Sequence, residues 1–293
     1  MNLVDAHHHL WDLTAVHYPW LEAKGEARFF GQPDPIRKNY LINDFIKDHQ
    51  YQITQSIHIQ VGATNSLAET ALISSLSQTN QPTANKFPSA AVVAIDMKQP
   101  SIEAQINAHL AYDIVRGARD IIGKSAEENR SLPKFKAEVW LNNWRTLANY
   151  GLSFDLQLTS DQYQVVLETL EKVSELKVAI CHFASPWEQS SSGFNYWKTQ
   201  MKAFAELPNC YMKLSGFSMF QHVFDSESFI RYAHAAIDIF GPQRCMFGSN
   251  FPVDKLYISY AELIAQWHEI IARYNTIEAN YLAEKTASNF YQL

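Results

Sequence analysis

The sequence predicts an α/β fold, a distorted (β/α)8 barrel spanning 1–293 as one domain, and three observations lead there. Eight short β-type runs are spread along the 293 residues. Most are followed by a segment with helical spacing, and such alternation builds a parallel sheet, because parallel strands need a crossover between them. Barrels of this kind reach about 250 residues or more as one domain, so the length calls for no second core. A doubly wound open sheet is the runner-up, and the count of eight favours closure. There is no evident linker and no internal repeat.

The predicted strands are 3–9, a run within 51–61, 89–95, 113–119, 152–158, 177–183, 210–215 and 245–249. The first is an apolar entry that runs into histidines. The second alternates Ser56, His58 and Gln60 with isoleucines, the period of a strand with two unlike faces. The fifth alternates Asp155 and Gln157 with Phe154, Leu156 and Leu158, and the seventh places Tyr211, Lys213 and Ser215 on one face. Predicted helices are 67–77, 102–112, 133–150, 161–174, 196–207, 226–240 and 260–274. Asp161 and Ser226 stand where N-caps would. Gly151 and Gly241-Pro242 stand where helices stop. Segments 10–39 and 121–132 are long for plain loops, and 184–193 is a shorter third. In a barrel, insertions after strands lie on the face that carries the site.

Composition narrows the function. Apolar residues make up 47% and charged residues 18%, enough for a sizeable core. A net charge of −6 argues against nucleic acid as a partner. The apolar runs are strand-length, so no membrane span is expected. The first residues lack the basic and apolar regions of a secretory signal, so a cytoplasmic location is expected. Cys181, Cys210 and Cys245 are far apart and sit in or beside apolar runs, which reads as buried reduced thiols. Only 10 glycines occur, and no Gly-rich phosphate or dinucleotide loop is found. Oligomeric state is not readable; a dimer is compatible with the sequence.

The strongest chemical signal is Val4-Asp5-Ala6-His7-His8-His9-Leu10-Trp11. Residues i and i+2 of a strand share a face, so His7 and His9 are expected to point together into the barrel mouth. Neutral imidazoles suit Zn²⁺-like ions, and two from one strand make a ready chelate. His8 is expected to point away into packing. The bland reading is a surface tract without a role. His182 closes the sixth strand, where a barrel would bring it near the first. Arg119 ends the fourth strand, where its guanidinium could clamp a carboxylate. Arg116 lies deeper and reads as structural. The polar faces of strands two, five and seven suggest a wet interior, with buried and satisfied polar layers as the alternative. Trp11, Tyr18 and Trp20, with Phe29 and Phe30 beyond, either wall the pocket or pack on the rim.

The eighth strand continues as Met246-Phe247-Gly248-Ser249-Asn250-Phe251-Pro252-Val253-Asp254. This run resembles the amidohydrolase superfamily, as do the opening Asp-Ala-His-His-His-Leu-Trp, Val-Arg-Gly-Ala-Arg, Ser-Phe-Asp-Leu-Gln, the His182 strand and Met-Lys-Leu-Ser-Gly, in that order. Within it the chain is most similar to the branch of sugar-acid lactonases, such as L-fuconolactonases, and pyrone-dicarboxylate lactonases. The resemblance implies a site at the strand C-termini and hydrolytic opening of a lactone, with one divalent metal (zinc first) or none. It maps His7 and His9 onto the first-strand His-x-His, His182 onto the sixth-strand histidine, and Arg119 onto a position that faces substrate. This chain departs from the pattern at Asn250, where the family usually has an aspartate that accepts a proton from water. An asparagine amide orients but cannot serve as a general base. Gln157 stands where metal-rich members carry a histidine, which argues against a binuclear site. Asp254 or His182 could supply the missing base, or a metal could lower the pKa of water toward about 7.

The function expected is therefore a hydrolase that opens a small carboxylated lactone. The expected catalytic residues are His182, Asp254 and Asn250. Arg119, Gln157, Gln60 and Trp11 would meet substrate, and His7, His9 and His182 would hold a metal. Two alternatives stay open: a metal-dependent decarboxylase of the same branch, and a small-acid binding protein whose catalysis was lost with the aspartate.

Overall fold

The computed structural model describes residues 2–79, 81–82, 85–124 and 135–293. Most of the predicted loop 121–132 and the start of the helix predicted from 133 lie outside these residues. Eight parallel strands follow one another in sequence order: β1 (Val4–His8), β2 (Gln55–Ile59), β3 (Ala90–Ala94), β4 (Val115–Arg119), β5 (Ser153–Leu156), β6 (Val178–Ile180), β7 (Cys210–Leu214) and β8 (Cys245–Phe247). Each falls within its predicted range and is shorter at one or both ends, because backbone pairing stops where the chain turns away toward a loop. The ladder runs from β1 to β8 without a change of order, and β8 returns beside β1. That seam is closed by a side chain. The buried Asp5 carboxylate accepts from the Ser249 backbone N–H at 2.9 Å, the Ser249 hydroxyl at 2.6 Å and the Tyr260 phenol at 2.7 Å. Beyond it Asn250 N–H donates to His7 O, and His9 N–H donates to Phe251 O.

The helices are α1 (Pro19–Glu22), α2 (Ile42–His49), α3 (Ser66–Gln78), α4 (Glu103–His109), α5 (Ala137–Asn149), α6 (Tyr163–Leu170), α7 (Ser191–Ala205), α8 (Ser226–Phe240), α9 (Tyr260–Ile271), α10 (Thr276–Asn280) and α11 (Thr286–Tyr291). Two N-cap expectations are corrected. Asp225 caps α8, accepting from the N–H groups of Glu227 and Ser228, and Ser226 is the first helical residue. Asp161 lies inside the short 3-10 turn Ser160–Gln162, whose N-cap is Thr159. Asp225 wins because its carboxylate reaches two N–H groups and also meets the positive end of the helix. Helix α2 and the closing segment α10–α11 were not foreseen.

Two apolar layers hold the barrel. The inner one joins Val4, Ala6, Ile57, Ile59, Ala90, Val92, Ala179 and Met246, sealed below by Phe290 and Tyr291 of α11. The outer one packs the other strand faces against the helices, with Trp140, Trp144, Phe154 and Trp267 fully buried. This corrects the reading of β2: Ile57 and Ile59 face inward, while His58 faces outward, 3.5 Å from Glu69 of α3. The inner circle of a small barrel is filled by side chains, and small and branched apolar residues pack there without a polar partner. The three cysteines are buried and unpaired. Among the described residues no helix is long and apolar enough to cross a membrane.

Candidate active site

Above the inner layer the strand ends turn polar. His9 after β1, Gln60 after β2, Arg119 ending β4, Gln157 after β5, His182 after β6 and Asn250 after β8 all line one cleft of about 470 Å3. Trp20, Phe29 and Phe30 from the long loop after β1 form its aromatic wall, together with Arg28. The loop expectation thus holds for Trp20, Phe29 and Phe30 and is corrected for Trp11. Trp11 does not line the cleft: it is fully buried, donates its indole N–H to Lys38 O at 2.6 Å and packs edge-on behind Trp20. Tyr18 is likewise fully buried.

His7 lies just beneath the floor, its ring 5.2 Å from that of His9 and 4.5 Å from that of His182. His8 points the other way and stacks on Phe45 of α2 at 4.1 Å: a register shift between Asp5 and His8 breaks the strand period, so that His7 and His9 rather than His8 follow Val4 and Ala6 on the inner side. Burial holds all three site imidazoles neutral. His9 is lowered to about 3, by burial first and then by the Arg119 charge. His7 and His182 are also held well below the ordinary histidine value, again by burial first. His9 donates from Nδ1 to Ile59 O at 2.7 Å, which leaves a lone pair on Nε2. His182 has its Nδ1 3.0 Å from the Ser215 hydroxyl.

His182 owes its position to an unusual bend. Residues 182–185 all have positive φ, between 53° and 59°. Left-handed backbone costs a non-glycine residue roughly 1–2 kcal/mol, so such a run needs outside support. Tyr163 of α6 donates its phenol to Ala184 O, and Trp197 of α7 donates its indole N–H to Phe183 O at 2.7 Å. Gly216 leaves room for the ring: a Cβ there would lie 2.3 Å from His182 Nδ1, at a φ of +63°. Gly248 does the same for the first strand, since a Cβ there would lie 2.6 Å from His7 Cβ.

Arg119 is buried at the floor, one guanidinium nitrogen donating to Gln60 O and its Nε unpaired among the described residues. Asn250 bridges two groups. Its amide nitrogen donates to Asp254 at 3.0 Å, and its amide oxygen lies 3.2 Å from His9 Nε2. Because His9 Nε2 carries a lone pair, that second contact sets two acceptors face to face. Turning the amide end for end resolves it: Asn250 then donates to His9 and accepts from a protonated Asp254. Burial raises the Asp254 carboxyl to about 7, against the hydrogen bonds from Asn250 and Ser218, so the protonated form is accessible. Asp254 itself is buried behind Asn250 and does not line the cleft. Its expected place as a base over the mouth is corrected on that ground: it reaches the cleft only through the Asn250 amide.

A charged layer that the sequence reading did not assemble lies inside the barrel, below the histidines. The Lys213 ammonium is paired with Asp155 and donates to Ala6 O at 2.7 Å, and Tyr291 donates to Asp155 at 2.7 Å. The inward faces of β5 and β7 announced Asp155 and Lys213, whereas nothing local announced that α11 would supply Tyr291.

Two donor sets can be tested for a metal. Among the described residues, His7, Asp155 and Cys181 place ligand atoms within 4.8 Å of one another. That set does not fit. Asp155 is already bound to Lys213 and Tyr291, and burial pushes the Cys181 thiol up to about 12. His7, His9 and His182 suit an ion better by chemistry, three neutral imidazoles with both ring nitrogens of His7 buried and without a partner among the described residues, although only the first set brings its ligand atoms within 4.8 Å.

Comparison with known proteins agrees with this geometry. A family model described as amidohydrolase matches residues 4–293. The chain is 32% identical to the uncharacterized protein y4mH of Sinorhizobium fredii, over 99% of this chain and 98% of that one. It is 25% identical to an L-fucono-1,5-lactonase of Burkholderia multivorans, over 99% of this chain and 96% of the relative. A crystal structure of an amidohydrolase from Burkholderia multivorans with bound zinc superposes with a TM-score of 0.80 at 22% identity, covering 100% of both chains.

Proposed function

This chain belongs to the amidohydrolase family, and from that premise we propose that it opens a small carboxylated lactone by hydrolysis. The observation that carries the reading is the convergence of His9, Arg119, Gln157, His182 and Asn250, from five strand ends, on one cleft. The likeness to an L-fucono-1,5-lactonase supports the choice of a lactone ester.

In this reading His182 handles the proton. Ser215 occupies its Nδ1, so Nε2 is the nitrogen left for the reaction. A neutral imidazole there accepts a proton from water as the water oxygen bonds to the lactone carbonyl carbon. The carbonyl oxygen becomes an alkoxide, and the Arg119 guanidinium, fixed by Gln60 O in a buried floor, faces that charge. When the intermediate collapses, the bond from carbon to ring oxygen breaks. The ring oxygen takes the proton back from His182, leaving an open-chain hydroxy acid. Gln157 and Asn250 orient the substrate through their amides, and Asp254 sets which way the Asn250 amide points. Where a divalent ion is bound instead, His7, His9 and His182 are the residues that would hold it, and His182 Nε2 would then be a ligand rather than the base. Such an ion, when bound, lowers the pKa of water and polarises a carbonyl.

The test is a panel of sugar-acid lactones assayed by proton release, with product carbon counted. The reading expects ring opening without loss of carbon. Carbon dioxide release would move the chain to the decarboxylases, and ligand binding without turnover across the panel would make it a binding protein.

A further inference from the structure

Two arginines reach the cleft from its wall and floor, and they are in different situations. Arg119 at the floor is tied to Gln60 O. Arg28, from the loop after β1, is half-buried and lines the same cleft, yet its side chain makes no hydrogen bond or ion pair among the described residues. Its Nε is buried without a partner, and its guanidinium carbon sits 6.0 Å from the Trp20 ring. Nearby Arg37 shows what a structural arginine in this loop looks like: it is spent on Asp34, Trp20 O and Glu26 O. The other cleft cations are not equivalent to Arg28. Lys98 stands 3.6 Å from Asp96, and Lys124 already interacts with another group.

The turn that carries Arg28 is held from outside. Arg28 and Gly31 exchange backbone hydrogen bonds at 2.8 and 3.0 Å. His222 donates to Phe29 O at 2.9 Å, and the Tyr257 phenol donates to Phe30 O at 2.7 Å. A Cβ on Gly31 would meet the Tyr257 hydroxyl at 2.0 Å, so the turn and its clamp are fitted to each other. Arg28 is therefore carried on a braced support, and a cation left unpaired at a cleft wall is suited to an anion brought by the ligand.

We infer that Arg28 is a specificity-determining residue that binds an anionic group of the substrate remote from the scissile carbonyl. The inference rests on the lactone reading of this cleft and gives the free carboxylate of that lactone its partner: the group stays at the far end as the ring opens to a dicarboxylic acid. In the opened acid the new carboxylate lies toward Arg119 and the old one toward Arg28.

Equilibrium binding tests this apart from turnover. Galactarate carries both carboxylates, and galactonate carries only the one that ring opening creates. Titration calorimetry of the wild-type protein is expected to give at least tenfold tighter binding of galactarate. Arg28→Gln is expected to bring the two acids within about twofold, with galactonate affinity little changed, and Arg28→Lys to keep part of the preference. The inference is overturned if wild type does not prefer galactarate, or if Arg28→Gln leaves the preference intact. Lactone turnover is assayed separately, with D-glucaro-1,4-lactone against D-galactono-1,4-lactone. Absent turnover with the calorimetric preference retained would defeat the lactonase reading and leave Arg28 in its assigned place.

Discussion

Tyr291 donates its phenol to Asp155 at 2.7 Å, inside a barrel interior where both side chains are fully buried. The same carboxylate is paired with Lys213, also fully buried, so the closing helix and two strands share one charge. Removing one partner of a buried pair strands the other. Lys213→Met is therefore expected to cost about 3–5 kcal/mol, and Tyr291→Phe about 1–3 kcal/mol. Denaturant unfolding measures both, and a loss under about 1 kcal/mol for Lys213→Met would show that Asp155 finds other compensation.

His182→Ala should lower kcat for the lactone by roughly 10²–10⁴, the range of a lost general acid–base group, while circular dichroism and melting stay near wild type. Gly216→Ala tests the same assignment from outside the ring. Its methyl would lie 2.3 Å from His182 Nδ1 and force the imidazole to move, so kcat should fall even though no reacting group has been removed. Equal activity in Gly216→Ala and wild type would mean the ring position does not matter.

Stability should depend on pH in two opposed ways. The buried histidines have lowered values, so their contribution is present above the unfolded value of 6.5 and is lost as pH falls toward the folded one, about 3 for His9. Asp254 has a raised value, so its contribution is present below 3.8 and is lost as pH rises through about 7. The histidines are more numerous, so the melting temperature of wild type should climb from pH 4.5 toward 6.5. Asp254→Asn removes the opposing slope, and above pH 7 it should melt at or above wild type. A variant that melts lower than wild type at pH 8 would contradict a carboxyl raised by burial.

Zinc offered to the protein should bind with about one equivalent per chain. His7→Ala should weaken that binding by at least tenfold, because both nitrogens of His7 lack another partner among the described residues. Cys181→Ala should leave it unchanged. Because His7 belongs to both donor sets, Cys181→Ala decides between them in calorimetry with Zn²⁺ alone: weaker binding in that variant would move the ion down to the Asp155 layer.

The barrel was legible because its evidence is periodic. Eight runs with strand spacing and the helices between them specify order and count without any contact being known. The places of His9, His182, Arg119, Gln157, Gln60 and Asn250 were legible for the same reason: each ends or follows a strand, and in a barrel all such ends share one face; His7, still inside β1, was expected in the mouth and lies beneath its floor. Direction across a strand was read correctly on β5 and β7 but wrongly on β2, where isoleucine and histidine both suit a covered surface. Trp11 and Asp254 were misjudged for different reasons, a remote partner for the first and, for the second, a neighbour four residues away that fronts the cleft in its place. Lys38 O lies far along the same loop from Trp11, and the Asn250 amide stands between Asp254 and the cleft. Arg28 carried no local mark at all. Its situation depends on His222 and Tyr257, which reach the turn from loops about two hundred residues away.

The seam between β1 and β8 has one further meaning. Around the wall neighbouring staves are stitched by main-chain hydrogen bonds, and this seam has two of its own, from Asn250 N–H to His7 O and from His9 N–H to Phe251 O. Here Asp5 adds a clasp, a buried carboxyl that accepts from Ser249 and Tyr260 across the seam. Burial raises the Asp5 carboxyl, so its contribution is present in acid and falls away as pH rises and the buried proton leaves. Alkali would therefore loosen the cylinder along that line, beside His7, His8 and His9.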